Sequence, residues 1–197
     1  MPRILAVLPL KAFDHAKERL DLPPQARAAF AKETATVVAA ACLDAGLELA
    51  VVTADERVAA WARRRGAAVV ADPGAGLAAA AAAGAQMAHD DGRDWLVVHG
   101  DLPLLGPDDL AIVAEAIGDG VTVLAPSRDG GTNLLGSSHP LAFRYGPGSF
   151  ARHLAAAANR PRLVVVRTGT AVEVDTLADL RTASRLPRGT WLERFLF

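Results

Sequence analysis

The 197-residue chain is 51% hydrophobic with a formal net charge of -1, so it can bury a full core without metals or disulfides and offers no basic footprint for a polynucleotide. Its single cysteine, Cys42, rules out an intramolecular disulfide and suits a reducing cytoplasm, the expected location. Leu77 to Ala88 is apolar but too short to cross a bilayer, and MPRILAVLPLK lacks the longer apolar run and cleavage site of a signal peptide, so no membrane partner is expected.

Arg3 to Leu8 reads as a first strand ended by Pro9, which cannot donate to a sheet ladder. Lys11, Lys17 and Arg19 then concentrate positive charge just past the strand end. Pro23-Pro24 opens a long Ala-rich helix running to about Asp44, closed by Gly46. Leu49 to Thr53 reads as strand two, Asp55 to Arg65 as a helix stopped by Gly66, and Ala67 to Ala71 as strand three. Asp72-Pro73-Gly74-Ala75-Gly76 is a flexible loop leading into the helix from Leu77.

Trp95 to Val98 is a short apolar run, as expected of a strand buried on both faces of a parallel sheet. Gly100 lets the chain turn and Asp101 is the first carboxylate beyond. Pro107, Asp108 and Asp109 suit the first turn of the next helix, and Val121 to Ala125 is strand five. This alternation predicts an α/β fold: one domain over residues 1 to 197, with a mostly parallel central sheet and helices on both faces.

After Ala125 the rhythm breaks. Ser127 to Asn133 reads as a polar loop, Leu134 to Phe143 as two short apolar pieces, and YGPGSF as a turn into a helix from Ala151 to about Ala158. Leu163 to Arg167 is a further strand, and Asp175 ends a β-branched stretch before a helix, Leu177 to Ser184, capped by Thr176. The tail TWLERFLF is apolar on one side and packs either on the domain or on a second subunit, so a homodimer stays open.

Open α/β sheets bind ligands at the carboxyl ends of their strands, where Asp101 is expected. A carboxylate there can hold Mg²⁺ against a nucleotide phosphate, and Asp175 is a candidate second ligand of the same cation. Each also has a plain structural reading, Asp101 as a turn closer and Asp175 as part of a helix cap. The chain has no P-loop and no GxGxxG after its first strand, which leaves Lys11 and Lys17 as the candidate phosphate ligands. The loops Gly130-Gly131-Thr132-Asn133 and Gly146-Pro147-Gly148-Ser149 free backbone amides to approach a small anion. The five histidines show no metal-ligand spacing and read as structural or solvated.

Together, PLKAFDHAKERL, VVTADERV, DPGAGL, HGDLPLL, DGGTNLL, FRYGPGSFARH and EVDTLADL resemble the CofC/FbiD-type guanylyltransferases of coenzyme F-420 biosynthesis. These are relatives of the MobA-like, GT-A-type nucleotidyltransferases. The resemblance implies transfer of GMP from GTP to the phosphate of a small phosphorylated three-carbon acid, with loss of pyrophosphate. That acid would be phosphoenolpyruvate, 2-phospho-L-lactate or 3-phosphoglycerate. It assigns Thr132, Gly146 and Ser149 to the acid, Asp101 and Asp175 to Mg²⁺, and Lys11 and Lys17 to the triphosphate. Thr53 and Gly76 are expected beside the nucleotide. One departure stands out: this chain reads Gly76-Leu77-Ala78 where the family usually reads GLN, and so lacks a side-chain amide that could read base or ribose.

Two rival readings remain at this point. A MobA-like enzyme with another acceptor would carry a Gly-rich LAGG-type loop after strand one, which PLKAFDHAKERL is not. A catalytically silent nucleotide-binding domain would bind GTP and release no pyrophosphate.

Overall fold

A computed structural model describes residues 3 to 196. Among these residues seven strands form one sheet: β1 (Ile4–Pro9), β2 (Glu48–Thr53), β3 (Ala68–Ala71), β4 (Asp94–Val98), β5 (Thr122–Pro126), β6 (Thr132–Ser137) and β7 (Arg162–Val164). Their order across the sheet is β3-β2-β1-β4-β6-β5-β7. Every pairing is parallel except those of β6, which runs antiparallel to both β4 and β5. The mostly parallel α/β sheet is therefore as expected.

The helices are α1 (Pro24–Asp44), α2 (Glu56–Arg63), α3 (Leu77–Asp90), α4 (Pro107–Gly118), α5 (Ser149–Ala156), α6 (Thr168–Ala171) and α7 (Leu177–Ser184). Strand side chains alternate between faces. Ile4, Ala6 and Leu8 of β1 join Val38, Cys42, Trp61 and Val113 from α1, α2 and α4. Leu5 and Val7 point the other way, into Ala81 and Ala85 of α3, with Phe150 and Leu154 of α5 beside them. Both faces of β1 are thus covered, which is why the strand is apolar throughout. Cys42 is fully buried, and burial pushes its thiol up to about 12, so it is a small core hydrophobe.

Three expectations need correction. The loop predicted over Ser127 to Asn133 is shorter, because Thr132 and Asn133 already belong to β6. The chain folds back after β5, and the first of the two apolar pieces lies in this strand, inserted between β4 and β5, while Leu141 and Phe143 of the second lie outside any strand and pack on the Leu5–Val7 face of the sheet. The strand predicted over Leu163 to Arg167 ends at Val164, and Thr168–Ala171 forms a short helix. Asp175 does not end a strand. Val172 to Val174 lie between α6 and α7 with no strand partner among the described residues, and the side chains of Val172 and Val174 instead pack in a third cluster, where Val174 is buried with Leu20, Phe30 and Leu104.

The tail packs on its own domain. Trp191 stacks on Phe30 at 6.4 Å and Phe195 meets Phe30 edge-on at 5.3 Å. Leu192 is buried and Trp191 Nε1 donates to the Pro103 carbonyl at 3.3 Å. Phe197, the last residue of the tail, lies outside the described residues. No helix among the described residues is long and apolar enough to cross a membrane.

Candidate active site

A cleft of about 620 Å³ opens at the carboxyl ends of β1 and β4, where the crossovers diverge. Its lining includes Lys11, Lys17, Arg19, His99, Asp101 and Asp175. Asp101 comes in on the turn after β4. Gly100 is not in the left-handed region. Instead, a Cβ there would collide with the Leu10 side chain, so its small size rather than its flexibility suits the site. Asp175 arrives from the segment before α7, which the Thr176 cap fixes: Thr176 Oγ1 accepts from Asp179 N while Asp179 Oδ2 accepts from Thr176 N.

Lys17 joins the two carboxylates. Its Nζ donates to Asp101 Oδ2 at 2.8 Å and to Asp175 Oδ1 at 2.7 Å, and its side chain is only 9% exposed. Burial alone would lower the ammonium's pKa, but Asp101 and Asp175 outweigh it and hold it above the ordinary lysine value. Burial likewise works against ionising Asp101, and Lys17 and His99 overcome it, so its carboxyl sits below the usual range. The Lys17 backbone has φ 57°, a left-handed conformation that costs a non-glycine residue roughly 1–2 kcal/mol. Leu20 N donating to Lys17 O at 2.9 Å helps hold it there. Arg19 completes the cationic side by donating to Asp175 Oδ2 at 2.7 Å.

A Mg²⁺ ion requires hard oxygen donors. Two carboxylates converge on one point, and Asp101 Oδ1 is buried without a hydrogen-bond partner among the described residues. Such an orphaned acceptor is costly unless a cation or donor meets it. No group of three or more His, Cys, Asp or Glu residues is placed to hold a metal among the described residues. Mg²⁺ commonly takes one or two carboxylates and fills its octahedron with water and substrate phosphate, a demand the Asp101 and Asp175 pair fits.

A second cluster lies beside the first. His99 N donates to Asn133 O at 3.0 Å, which extends the β4·β6 ladder and puts Thr132 one residue farther toward Asp101. Thr132 Oγ1 is 3.1 Å from Ser149 Oγ and 2.9 Å from His153 Nδ1, and Arg144 N donates to His153 Nε2 at 2.8 Å. Thr132 and Ser149 are each about 1% exposed, so they face one another and His153 rather than open solvent. Gly146 lies in the exposed turn above them, with Ser149 N donating to its carbonyl at 3.0 Å. Tyr145 connects the clusters, 5.3 Å from the His99 ring and 4.9 Å from that of His153.

Of the residues singled out from sequence, the structure thus brings Lys17, Asp101 and Asp175 into direct contact. It gathers Thr132, Gly146 and Ser149 into the adjoining cluster. Lys11 is exposed on the cleft wall and makes no ion pair among the described residues. Thr53 and Gly76 do not line the cleft. Thr53 Oγ1 accepts from Asp55 N at 3.2 Å, and Gly76 starts α3 one residue before Leu77, which does line it.

Sequence reasoning took His99 and His153 only as structural or solvated and gave Glu173 no role. Burial lowers the pKa of His99, and burial with Arg152, His99 and Arg144 lowers His153 to about 4, so both are neutral rings at the site. Burial, then Asp101, Asp129 and Asp175, raise Glu173 to about 7. The available signals were the pattern Glu173-Val174-Asp175, which keeps two carboxylates on one side of an extended chain, and the placement of His99 two residues before Asp101.

The Guanylyl transferase CofC like family model matches residues 4–183. The chain belongs to this CofC-like family. A phosphoenolpyruvate guanylyltransferase of Rubrobacter xylanophilus is 37% identical over 90% of this chain and 91% of its own length. One of Streptomyces coelicolor is 39% identical over 93% and 91%. Among solved structures, a nucleotidyl transferase from Methanothermobacter thermautotroptrophicus superposes with a TM-score of 0.59 at 19% identity, covering 98% of this chain and 99% of that one. A crystal structure from Desulfovibrio desulfuricans G20 reaches a TM-score of 0.77 at 17% identity, covering 98% and 95%. These structures share the fold of this CofC-like chain, which is that of the nucleotidyltransferases.

Proposed function

We propose that the chain is a guanylyltransferase that joins GMP from GTP to the phosphate of phosphoenolpyruvate, releasing pyrophosphate, in coenzyme F-420 biosynthesis. The observation that carries this reading is the convergence of Asp101 and Asp175, remote in sequence, on one ammonium in a cleft at the strand ends. The curated relatives bearing the name phosphoenolpyruvate guanylyltransferase over nearly the whole chain direct the choice of reaction.

In this reading a phosphate oxygen of the acid attacks the α-phosphorus of GTP, and the bond from that phosphorus to the oxygen bridging the β-phosphate breaks. Lys17 and Lys11 hold the triphosphate, and their charge stabilises the departing pyrophosphate in a site partly shielded from water. Thr132, Gly146 and Ser149 hold the acid. Asp101 and Asp175 hold Mg²⁺, which when bound neutralises charge on the reacting phosphate.

The test is to incubate the protein with GTP and Mg²⁺ and, in parallel, phosphoenolpyruvate, 2-phospho-L-lactate or 3-phosphoglycerate, then to measure pyrophosphate and weigh the products. The largest rate is expected with phosphoenolpyruvate. Pyrophosphate release with none of the three would overturn the reaction proposed, and faster turnover of another nucleotide would overturn the choice of GTP.

A further inference from the structure

The polarity of the chain of hydrogen bonds through His153 can be worked out from one backbone group. Arg144 N–H can only donate, so His153 Nε2, which receives it, carries a lone pair. The neutral ring then has its proton on Nδ1, and that proton faces Thr132 Oγ1. Three protons, one on Nδ1 and one on each hydroxyl of Thr132 and Ser149, are shared between two contacts. One hydroxyl proton is therefore left over, whichever way the Thr132–Ser149 pair is oriented. The opposite tautomer would have accepted from Thr132 and let Ser149 donate to Thr132, spending every proton.

We infer that His153 is a positioning residue for the acceptor pocket: its proton on Nδ1 keeps one hydroxyl of the Thr132–Ser149 pair free to donate, which selects an anionic oxygen there. This rests on the reading of that pair as acid-binding residues. The surroundings suit an anion. Arg152 donates to the carbonyls of Arg144 and Pro147 and so brings a cation to the same turn, which is exposed next to the buried pair. His153 is fully buried and its ring does not reach the cleft lining, so it acts through the two hydroxyls and not on the substrate.

Asparagine and aspartate place an atom close to where Nδ1 stands, the first able to donate and the second only to accept. His153→Asp is therefore expected to raise KM for phosphoenolpyruvate by roughly tenfold or more, the loss of a hydrogen bond to a charged group, while kcat and KM for GTP change little. His153→Asn should stay within roughly threefold of wild type, since a donor remains. In a Ser149→Ala background His153→Asp should add little, because the group it acts through is gone. Thermal unfolding of each variant monitors folding. His153→Leu, which neither donates nor accepts, leaves two hydroxyl protons for one contact and so still one to spare; it is expected close to His153→Asn, and an effect as large as that of His153→Asp would count against the inference.

Equal effects of His153→Asn and His153→Asp, an unchanged KM for the acid, or the full effect of His153→Asp persisting in Ser149→Ala would overturn the inference. If wild type transfers nothing to any acid, the functional reading fails separately. The same variants are then compared by calorimetric binding of phosphoenolpyruvate alone, with the same ranking expected and equal affinities counting against the inference.

Discussion

Lys17 Nζ lies 2.8 Å from Asp101 Oδ2, and the same ammonium reaches Asp175 at 2.7 Å. A Mg²⁺ ion held by Asp101 and Asp175 would share these carboxylates with the ammonium, and two cations at such short range repel. Lysine and cation therefore compete for the same pair of carboxylates. The free protein should bind Mn²⁺ weakly, and GTP should tighten it both by ligating the metal and by drawing Lys17 to a phosphate. Lys17→Met is expected to strengthen Mn²⁺ binding without nucleotide by roughly tenfold or more, given that a charged hydrogen bond is worth about 1.5–3 kcal/mol. It should weaken binding of GTP at the same time. Titration followed by electron paramagnetic resonance measures both, and equal Mn²⁺ affinity in variant and wild type would contradict the competition.

Replacing Asp101 by Asn keeps the shape and removes the charge. Turnover is expected to fall by roughly a hundredfold or more, about 2.7 kcal/mol of transition-state stabilisation, because the cation loses a ligand and Lys17 a partner. Pyrophosphate release under saturating substrates provides the measurement, with circular dichroism to confirm folding. A folded, fully active variant would end the assignment.

His153 predicts a pH dependence of stability. Its folded value, about 4, lies below the ordinary 6.5, because charging a fully buried ring beside Arg152, His99 and Arg144 is unfavourable and would break the bond from Arg144 N. The unfolded chain thus binds the extra proton first. The stability contributed is fully present above pH 6.5 and is lost as the pH falls toward about 4, by at most about 3 kcal/mol. Thermal unfolding across that range should show His153→Asn losing stability less steeply than wild type. Parallel curves would show that another group governs the acid limb.

Gly84 sits in the middle of the Ala-rich α3, where propensity alone favours alanine by about 1 kcal/mol. A Cβ there would run into both methyl groups of Val7 on β1. Overpacking a closed core typically costs about 1–3 kcal/mol, so the packing penalty should win and Gly84→Ala should lower the melting temperature. A higher melting temperature would mean that β1 and α3 can separate slightly without cost.

Much of this molecule is determined locally and so can be read along the chain. Apolar runs at Ile4–Pro9 and Asp94–Val98, proline at the starts of α1 and α4, and glycine after α1 and α2 act through neighbours within a few residues. They suffice for the strands, the helices and the mostly parallel α/β class, and the motifs at Asp101, Thr132 and Ser149 suffice for the family. Other features depend on partners far away in sequence. Whether β6 pairs antiparallel between β4 and β5, whether Val172 to Val174 are strand or plug, and which surface receives Trp191 depend on what apolar area is left to cover once the sheet has formed. The same holds at the site. Lys17 lies 84 residues from Asp101 and 158 from Asp175, and the proton on His153 Nδ1 follows from a backbone amide nine residues away, so only tertiary contact could bring these charges and hydrogen bonds together.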